Sequence, residues 1–483
     1  MASQSLIMDA LAALQSGDRR RAAMLLRKEL ARGAHAVKRL ASIAKLADKI
    51  GEIELSLAAS KAMARSEPVT LNNILAYCGA LAQYGRSEDA LAVIKGLPTD
   101  AQNHPAILHF TGVTASEIGN FEESEAALRR ALAVTDGAPQ AWFALTMIKT
   151  FVPADPDFDR MAAIEPQIAG VDPHLLARYY YGMGKALDDM GESDRAFSYY
   201  AKGAAVRRKE EPYDRQRHER QAEALIRNFR PGEEWGLTPS RFGRQRAIFV
   251  NGLPRSGTTM VESMLVSHSA VSDGAEINLL QAALLPTLDY SMEGASAYQA
   301  RHRRKDPFGE LAEDYHRMLQ ARFGSGGLVV DKTLSQSWTM GLLLHTMPDA
   351  RVVWLRRRAE DVALSAYRTY FTSPVSWSWS LEDIAHQMKL EDRLHAHWTE
   401  VFPQSILTLP YEELVADPGG WIPRILDHVG LAQEDQVRDF HRNTRKVRTA
   451  SVKQVRAPIS TSAVGKSDSY LRQLAPFIKA YRG

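Results

Sequence analysis

Residues 247–266 read AIFVNGLPRSGTTMVESMLV, and their order decides what kind of fold the second half of the chain builds. An apolar run, AIFVN, stops at Gly252. A loop of small and turn-forming residues follows, and after Thr259 comes an apolar segment with helical spacing. Strand, glycine loop and helix in that order leave loop amides and a helix N-terminus at the strand's C-terminal end, where both face an anion. Working outward, LVVD at 328–331, RVVWL at 351–355 and SILTLP at 405–410 are further short apolar runs, with helical segments between them. Strands alternating with helices predict an α/β domain with a parallel sheet.

Upstream the pattern is different. Gly17, Gly51, Gly85 and Gly119 stand 34 residues apart, and five residues after each comes a small residue: Ala22, Ser56, Ala90 and Ser124. Gly191 with Ala196 repeats the pair. Glycine ends one helix in a left-handed turn, and the small residue lets the next helix pack close against it. Pro105 and Pro139, also 34 apart, sit where a helix would begin. With the paired glycines Gly112/Gly119 and Gly184/Gly191, this period resembles the tetratricopeptide repeat. The resemblance implies an all-α superhelix of about six units over residues 1–210, with a concave face for a protein or peptide partner or for self-association into a homo-oligomer. The unit around 139–172 departs from the pattern where PADPDFD interrupts it. Residues 211–245 are polar, basic and then rich in turn formers, and are expected to form a linker helix and loop. The expected domains are 1–210, 211–245 and 246–483, the first folding without the rest.

Within the loop, Gly252 and Gly257 keep the spacing of the nucleoside-triphosphate loop, but Thr258 stands where that loop has its lysine. Hydrolysis of ATP or GTP is therefore disfavoured. A 5′-phosphosulfate suits such a loop, because the sulfuryl group carries less charge than a γ-phosphoryl group and needs no metal when Arg255 supplies positive charge. On these residues, 246–483 resembles a sulfotransferase domain that uses 3′-phosphoadenosine-5′-phosphosulfate, similar to tyrosylprotein sulfotransferases and to bacterial proteins that join tetratricopeptide repeats to such a domain. The resemblance implies a phosphosulfate loop of Arg255, Ser256, Gly257, Thr258 and Thr259. It implies that Arg357, with Ser365 eight residues on, holds the donor's 3′-phosphate through a fork of donors and a hydroxyl. Arg358-Ala359 stands where the family often has Asp-Pro after the arginine, so Arg356 remains the alternative to Arg357. Glu276, 21 residues after Arg255, matches the catalytic glutamate, and Lys332, directly after LVVD, matches the lysine at the leaving-group oxygen. Ser451 and Lys466, in ASVKQVRAPISTSAVGK, match residues that reach the transferred group and the donor. Tyr411, in PYEELVADP, matches the segment beside the adenine.

Composition bounds the rest. The chain has 483 residues, 60 Lys+Arg against 57 Asp+Glu and a formal charge of +3, which argues against a surface devoted to nucleic acid. Its single cysteine, Cys78, excludes a disulfide framework and a cysteine zinc site. No apolar run reaches the length of about 18 residues that a membrane span needs. The N-terminus reads as an amphipathic helix, which makes the expected compartment cytoplasmic. Asn278 stands two residues after Glu276, where tyrosylprotein sulfotransferases carry an arginine. The acceptor hydroxyl is thus left open between a protein tyrosine, a carbohydrate and a small molecule. A catalytically dead repeat scaffold is disfavoured by Arg255, Glu276, Lys332, Arg357 and Ser365 occurring together.

Overall fold

The computed structural model describes residues 5–33, 35–302, 305–372, 375–442 and 458–483. The N-terminal region is built from helix pairs: Leu6–Gln15 with Arg19–Ala31, Val37–Lys49 with Ile53–Ala64, Leu71–Gln83 with Ser87–Lys95, Pro105–Glu117 with Phe121–Val134, Pro139–Ile148 with Pro156–Ala163, and Pro173–Asp189 with Ser193–Glu210. Gly17, Gly51, Gly85, Gly119 and Gly191 make the turns of five pairs, all at φ between +73° and +84°. Each turn closes the same two bonds. In the first, the Asp18 amide donates to the Ala13 carbonyl at 2.8 Å and the Gly17 amide to that of Leu14 at 3.0 Å. In the last, Glu192 donates to Leu187 at 2.9 Å and Gly191 to Asp188 at 3.1 Å. The small residues five positions on are buried. Ser124 Oγ donates to the Gly112 carbonyl at 2.6 Å, and a Cβ on Gly112 would come within 2.6 Å of Leu128 Cγ, so the two helices touch almost backbone to backbone. Residues 211–245 hold the helix Arg215–Asn228 and then irregular chain.

The α/β region carries five parallel strands: β1 (Ala247–Asn251), β2 (Val271–Ala275), β3 (Leu328–Asp331), β4 (Arg351–Arg356) and β5 (Ile406–Pro410), in the order β2-β3-β1-β4-β5. Every residue of central β1 is buried, because both sheet faces are covered. Its side chains alternate accordingly. Ala247 and Phe249 pack in one cluster with Tyr315, Met318 and Trp398. Ile248 and Val250 pack in another with Val261, Leu265 and Ile425. The sequence predicts four of these strands. The structure adds β2, which reads VSDGA and pairs only with β3 through an irregular register between Val271 and Asp273. An edge strand with polar residues and a glycine shows no apolar run.

Hydrophobic clusters cross between the two regions. Ile53, Leu57, Ile74, Cys78 and Leu81 share a core with Leu279, Leu280, Tyr315 and Met318. Ala177, Tyr181 and Tyr200 share another with Tyr367, Trp379 and Tyr470. A partly buried ionic network also joins them: Arg19 lies 3.3 Å from Glu52, Arg20 3.1 Å from Asp314, and Arg317 3.5 Å from Glu52. Among the described residues no helix is long and apolar enough to cross a membrane.

Candidate active site

β1 ends on Asn251, 1% exposed, whose side-chain oxygen and nitrogen are buried without a hydrogen-bond partner. The chain then turns through Gly252 (φ 148°), Arg255 (φ 74°) and Gly257 (φ 106°) into the helix Thr258–Val266. That helix has no side-chain cap, so its first-turn amides look into the loop. A Cβ on Gly257 would lie 2.5 Å from the Tyr411 ring, and one on Gly252 would meet Ser256 Oγ at 2.8 Å and the Leu355 carbonyl at 3.0 Å. The tight loop therefore excludes side chains at both positions. Ser256 Oγ is spent inside it, donating to the Leu253 carbonyl at 2.7 Å, while Thr258 and Thr259 are buried at the helix start. Arg255 sends Nε to Ser365 Oγ at 2.9 Å. Burial, with Arg368 and Arg357 nearby, pushes its guanidinium down to about 10, which leaves it cationic at neutral pH.

Three successive arginines leave β4 in three directions. Arg356 pairs with Asp392, and Arg358 pairs with Asp468 at 2.8 Å and Glu360 at 3.4 Å. Arg357 turns to the loop. It donates to the Arg255 carbonyl at 3.1 Å and to that of Ala463, and its guanidinium lies 4.5 Å from the centre of the Tyr411 ring. Its Nε is buried with no hydrogen-bond partner. The sequence pairs Ser365 with Arg357, whereas the structure gives that hydroxyl to Arg255. The left-handed backbone at Arg255 directs its side chain across to the helix Ala359–Tyr367, and Arg357 is drawn instead over Tyr411. Lys466 is exposed, at the start of a short 3-10 helix. Its segment is tied down by Asp361, which accepts from the Gly465 amide at 2.8 Å and the Ser467 amide at 2.9 Å. Burial opposes ionisation of Asp361, but these bonds hold its carboxyl below the usual range. Ser451 lies outside the described residues.

The second centre lies at the ends of β2 and β3. Lys332 directly follows β3, and its amide donates to the Ala275 carbonyl at 2.9 Å, which brings the residues after both strands together. Lys332 Nζ donates to Glu276 Oε1 at 2.8 Å and lies 3.7 Å from Glu262. The lysine side chain is 2% exposed and that of Glu276 37%, so a buried ammonium is bracketed by one buried and one reachable carboxylate. Asp331 anchors the turn, accepting from Tyr315 Oη and from Thr333 Oγ1, both at 2.6 Å. Thr333 Oγ1 in turn accepts from the Asn278 amide at 2.8 Å. Burial pushes the Asp331 carboxyl up, only partly offset by those bonds. Both centres sit at the carboxyl edge of the parallel sheet; the glycine loop and the arginines follow β1 and β4, between which the strand order reverses and such folds bind ligands.

Residues 247–435 match the model of the sulfotransferase family. The C-terminal half carries a sulfotransferase-family domain. An uncharacterized protein of Aquifex aeolicus (strain VF5) is 30% identical over 308 residues, covering 61% of this chain and 40% of that protein, so the chain spans well under half the length of this curated relative. Among solved structures, the sulfotransferase domain from the curacin biosynthetic pathway overlaps with a TM-score of 0.31 at 15% identity, covering 48% of this chain and 98% of that one. A sulfotransferase from Mycobacterium tuberculosis H37Rv gives 0.28 at 17%, covering 62% and 98%.

Several residues of the sulfotransferase-family domain's site escape sequence reasoning. Glu262 is a lone acid in an apolar helix, and its placement beside Lys332 depends on a partner 70 residues away. Asp361 and Arg368 flank Ser365 but look like ordinary helix-surface charges. The one available signal was Glu262 itself, a charge on a helix otherwise patterned for burial. Among the described residues no group of three or more His, Cys, Asp and Glu side chains is arranged to hold a metal ion.

Proposed function

We propose that this protein transfers a sulfuryl group from 3′-phosphoadenosine-5′-phosphosulfate to an acceptor hydroxyl. The observation that carries the reading is the pairing of an uncapped helix N-terminus in a glycine loop with two converging arginines, Arg255 and Arg357. The orphaned Arg357 Nε, buried and without a partner, fits a donor group for an anion. In this reading the loop amides with Arg255 hold the 5′-phosphosulfate. Arg357 holds the 3′-phosphate together with Ser365, whose oxygen accepts from Arg255 and whose own O–H is left to donate. Tyr411 flanks the adenine, and Ser451 and Lys466 serve the transferred group and the donor. Glu276 accepts the acceptor's proton, and Lys332 offsets charge on the departing phosphate. Members of the sulfotransferase family generally use this donor. Asn278 beside Glu276 keeps a protein tyrosine, a carbohydrate and a small hydroxyl compound all open as acceptors.

The helical region we read as a tetratricopeptide array that binds a peptide or a second copy of the chain. Its five identical glycine turns support this. The compartment we propose is cytoplasmic. Calorimetry with adenosine 3′,5′-bisphosphate in the presence of a chelator tests the donor site, with binding undiminished by chelation as the expected result. Radiolabelled donor incubated with lysate lacking the protein, then with it restored, identifies the acceptor. Failure to bind the nucleotide and to transfer label would overturn the reading.

A further inference from the structure

We propose that Asp188, a residue of the helical region, is a positioning residue of the donor site and acts through Arg368 and Tyr470. The inference rests on the functional reading above and adds to it a dependence on the other half of the chain. Asp188 is the next-to-last residue of the helix Pro173–Asp189, and its carbonyl accepts the Gly191 amide at 3.1 Å in the glycine turn. Its backbone is therefore fixed by the helix pair itself. Its carboxylate divides between two elements of the α/β region. Oδ2 accepts from Arg368 Nη1 at 2.8 Å, and Oδ1 accepts from the hydroxyl of Tyr470. Arg368 caps the helix Ala359–Tyr367, which carries Ser365. Tyr470 ends the 3-10 helix that Lys466 begins. One carboxylate thus ties together the two elements that bring Ser365 and Lys466 to the donor. Phe197, from the next helix, stacks on Tyr367 with ring centres 5.2 Å apart and also meets Tyr470 at 6.3 Å, which fixes the same contact sterically.

Charge explains why a carboxylate is needed there. Arg255, Arg357 and Arg368 lie close enough for the latter two to act on Arg255. Three like charges repel one another, and a long arginine side chain left free would turn toward solvent. Asp188 holds Arg368 in the cluster. A carboxylate near an anion site also repels the anion, which acts in the opposite sense. Both side chains of the pair are 24% exposed, so salt screens that repulsion, whereas the loss of a fixed geometry is not screened.

The test is calorimetry of the full chain with adenosine 3′,5′-bisphosphate at near-physiological salt. Asp188→Asn is expected to bind about tenfold more weakly, the size of effect given by losing one charge-assisted contact. With labelled donor its KM for the donor should rise, while turnover at saturating donor stays near wild type. A merely structural defect would lower both turnover and thermal stability. Tyr470→Phe removes one of the two bonds and leaves the Arg368 bond to Oδ2 in place, so it should weaken binding less, about threefold. Arg20→Ala cuts an ion pair between the same two regions, away from the donor site, and should leave affinity unchanged. Wild-type affinity in Asp188→Asn overturns the inference alone; if that variant does not fold, wild-type affinity in Tyr470→Phe does so. No binding by the wild-type chain would overturn the functional reading, and this inference with it.

Discussion

Glu276 and Lys332 share one hydrogen bond, yet they are asked for different work, and substitution separates them. Glu276→Gln keeps size and most hydrogen bonding but takes no proton. Lys332 keeps Glu262 at 3.7 Å in that variant, so its buried charge is not left alone. Turnover should fall by about 10²–10⁴-fold, with nucleotide affinity within a few-fold of wild type. Lys332→Ala should also slow turnover, but through the leaving group. A series of phenols of rising acidity distinguishes the two if phenols are accepted: the glutamine variant is partly rescued and the alanine variant is not. Wild-type turnover in Glu276→Gln with a weakly acidic acceptor would remove Glu276 as the base. A second carboxyl matters for stability. Burial pushes Glu391 up to about 7, while Ser337 Oγ donates to it at 2.8 Å. The folded state then holds a proton that the unfolded state has released, so stability contributed by this group is lost as pH rises from the ordinary glutamate range through 7. Glu391→Gln mimics the protonated form. It should raise the melting temperature above pH 7, by the equivalent of about 1–3 kcal/mol, and change little near pH 4. An identical gain at both pH values would refute this account.

At the scale of elements, the loop after β1 works by having no side chain where two neighbours press on it. Gly257→Ala adds a Cβ 2.5 Å from the Tyr411 ring at a φ of 106°. The ring sits under Arg357, so the clash moves that arginine, which the proposed function places at the donor, as well as the loop. The variant should lose about 1–3 kcal/mol of stability and most of its nucleotide affinity, as denaturant titration and calorimetry would read. Normal affinity would mean that loop and ring are not coupled. The same element scale separates what can be read from the chain and what cannot. AIFVN, LVVD and RVVWL are legible because buried parallel strands are apolar on both faces. VSDGA is not, since only pairing with β3 makes it a strand. The glycine turns at 34-residue spacing are legible because a helix pair sets its own period.

The whole molecule is one packed unit across its two regions. A fragment of residues 1–210 removes the partners of Ile53, Leu57, Tyr181 and Tyr200 and exposes a patch that monomeric proteins seldom show. It should keep a helical circular-dichroism spectrum but melt at a lower temperature than the full chain and bind a hydrophobic dye. A fragment as stable as the helical signal of the full chain would mean that the shared clusters add nothing. Arg19 keeps Glu52 in that fragment but loses Asp314, and Arg20 loses Asp314 as well, which adds to the expected loss.

The sequence by itself determined what depends on local order: the helix period from its glycines, the strand–loop–helix from AIFVNGLPRSGTT, and the residue types able to bind an anion. Those features need only neighbours within a few positions, so one-dimensional spacing carries them. The tertiary structure alone decided which of Arg356, Arg357 and Arg358 faces the loop, that Ser365 meets Arg255, that Glu262 brackets Lys332, and that Asp188 reaches Arg368 across 180 residues. Each of these is a contact between distant segments. Its geometry follows from how strands order in the sheet and how the helical region packs against it, and no spacing along the chain encodes that.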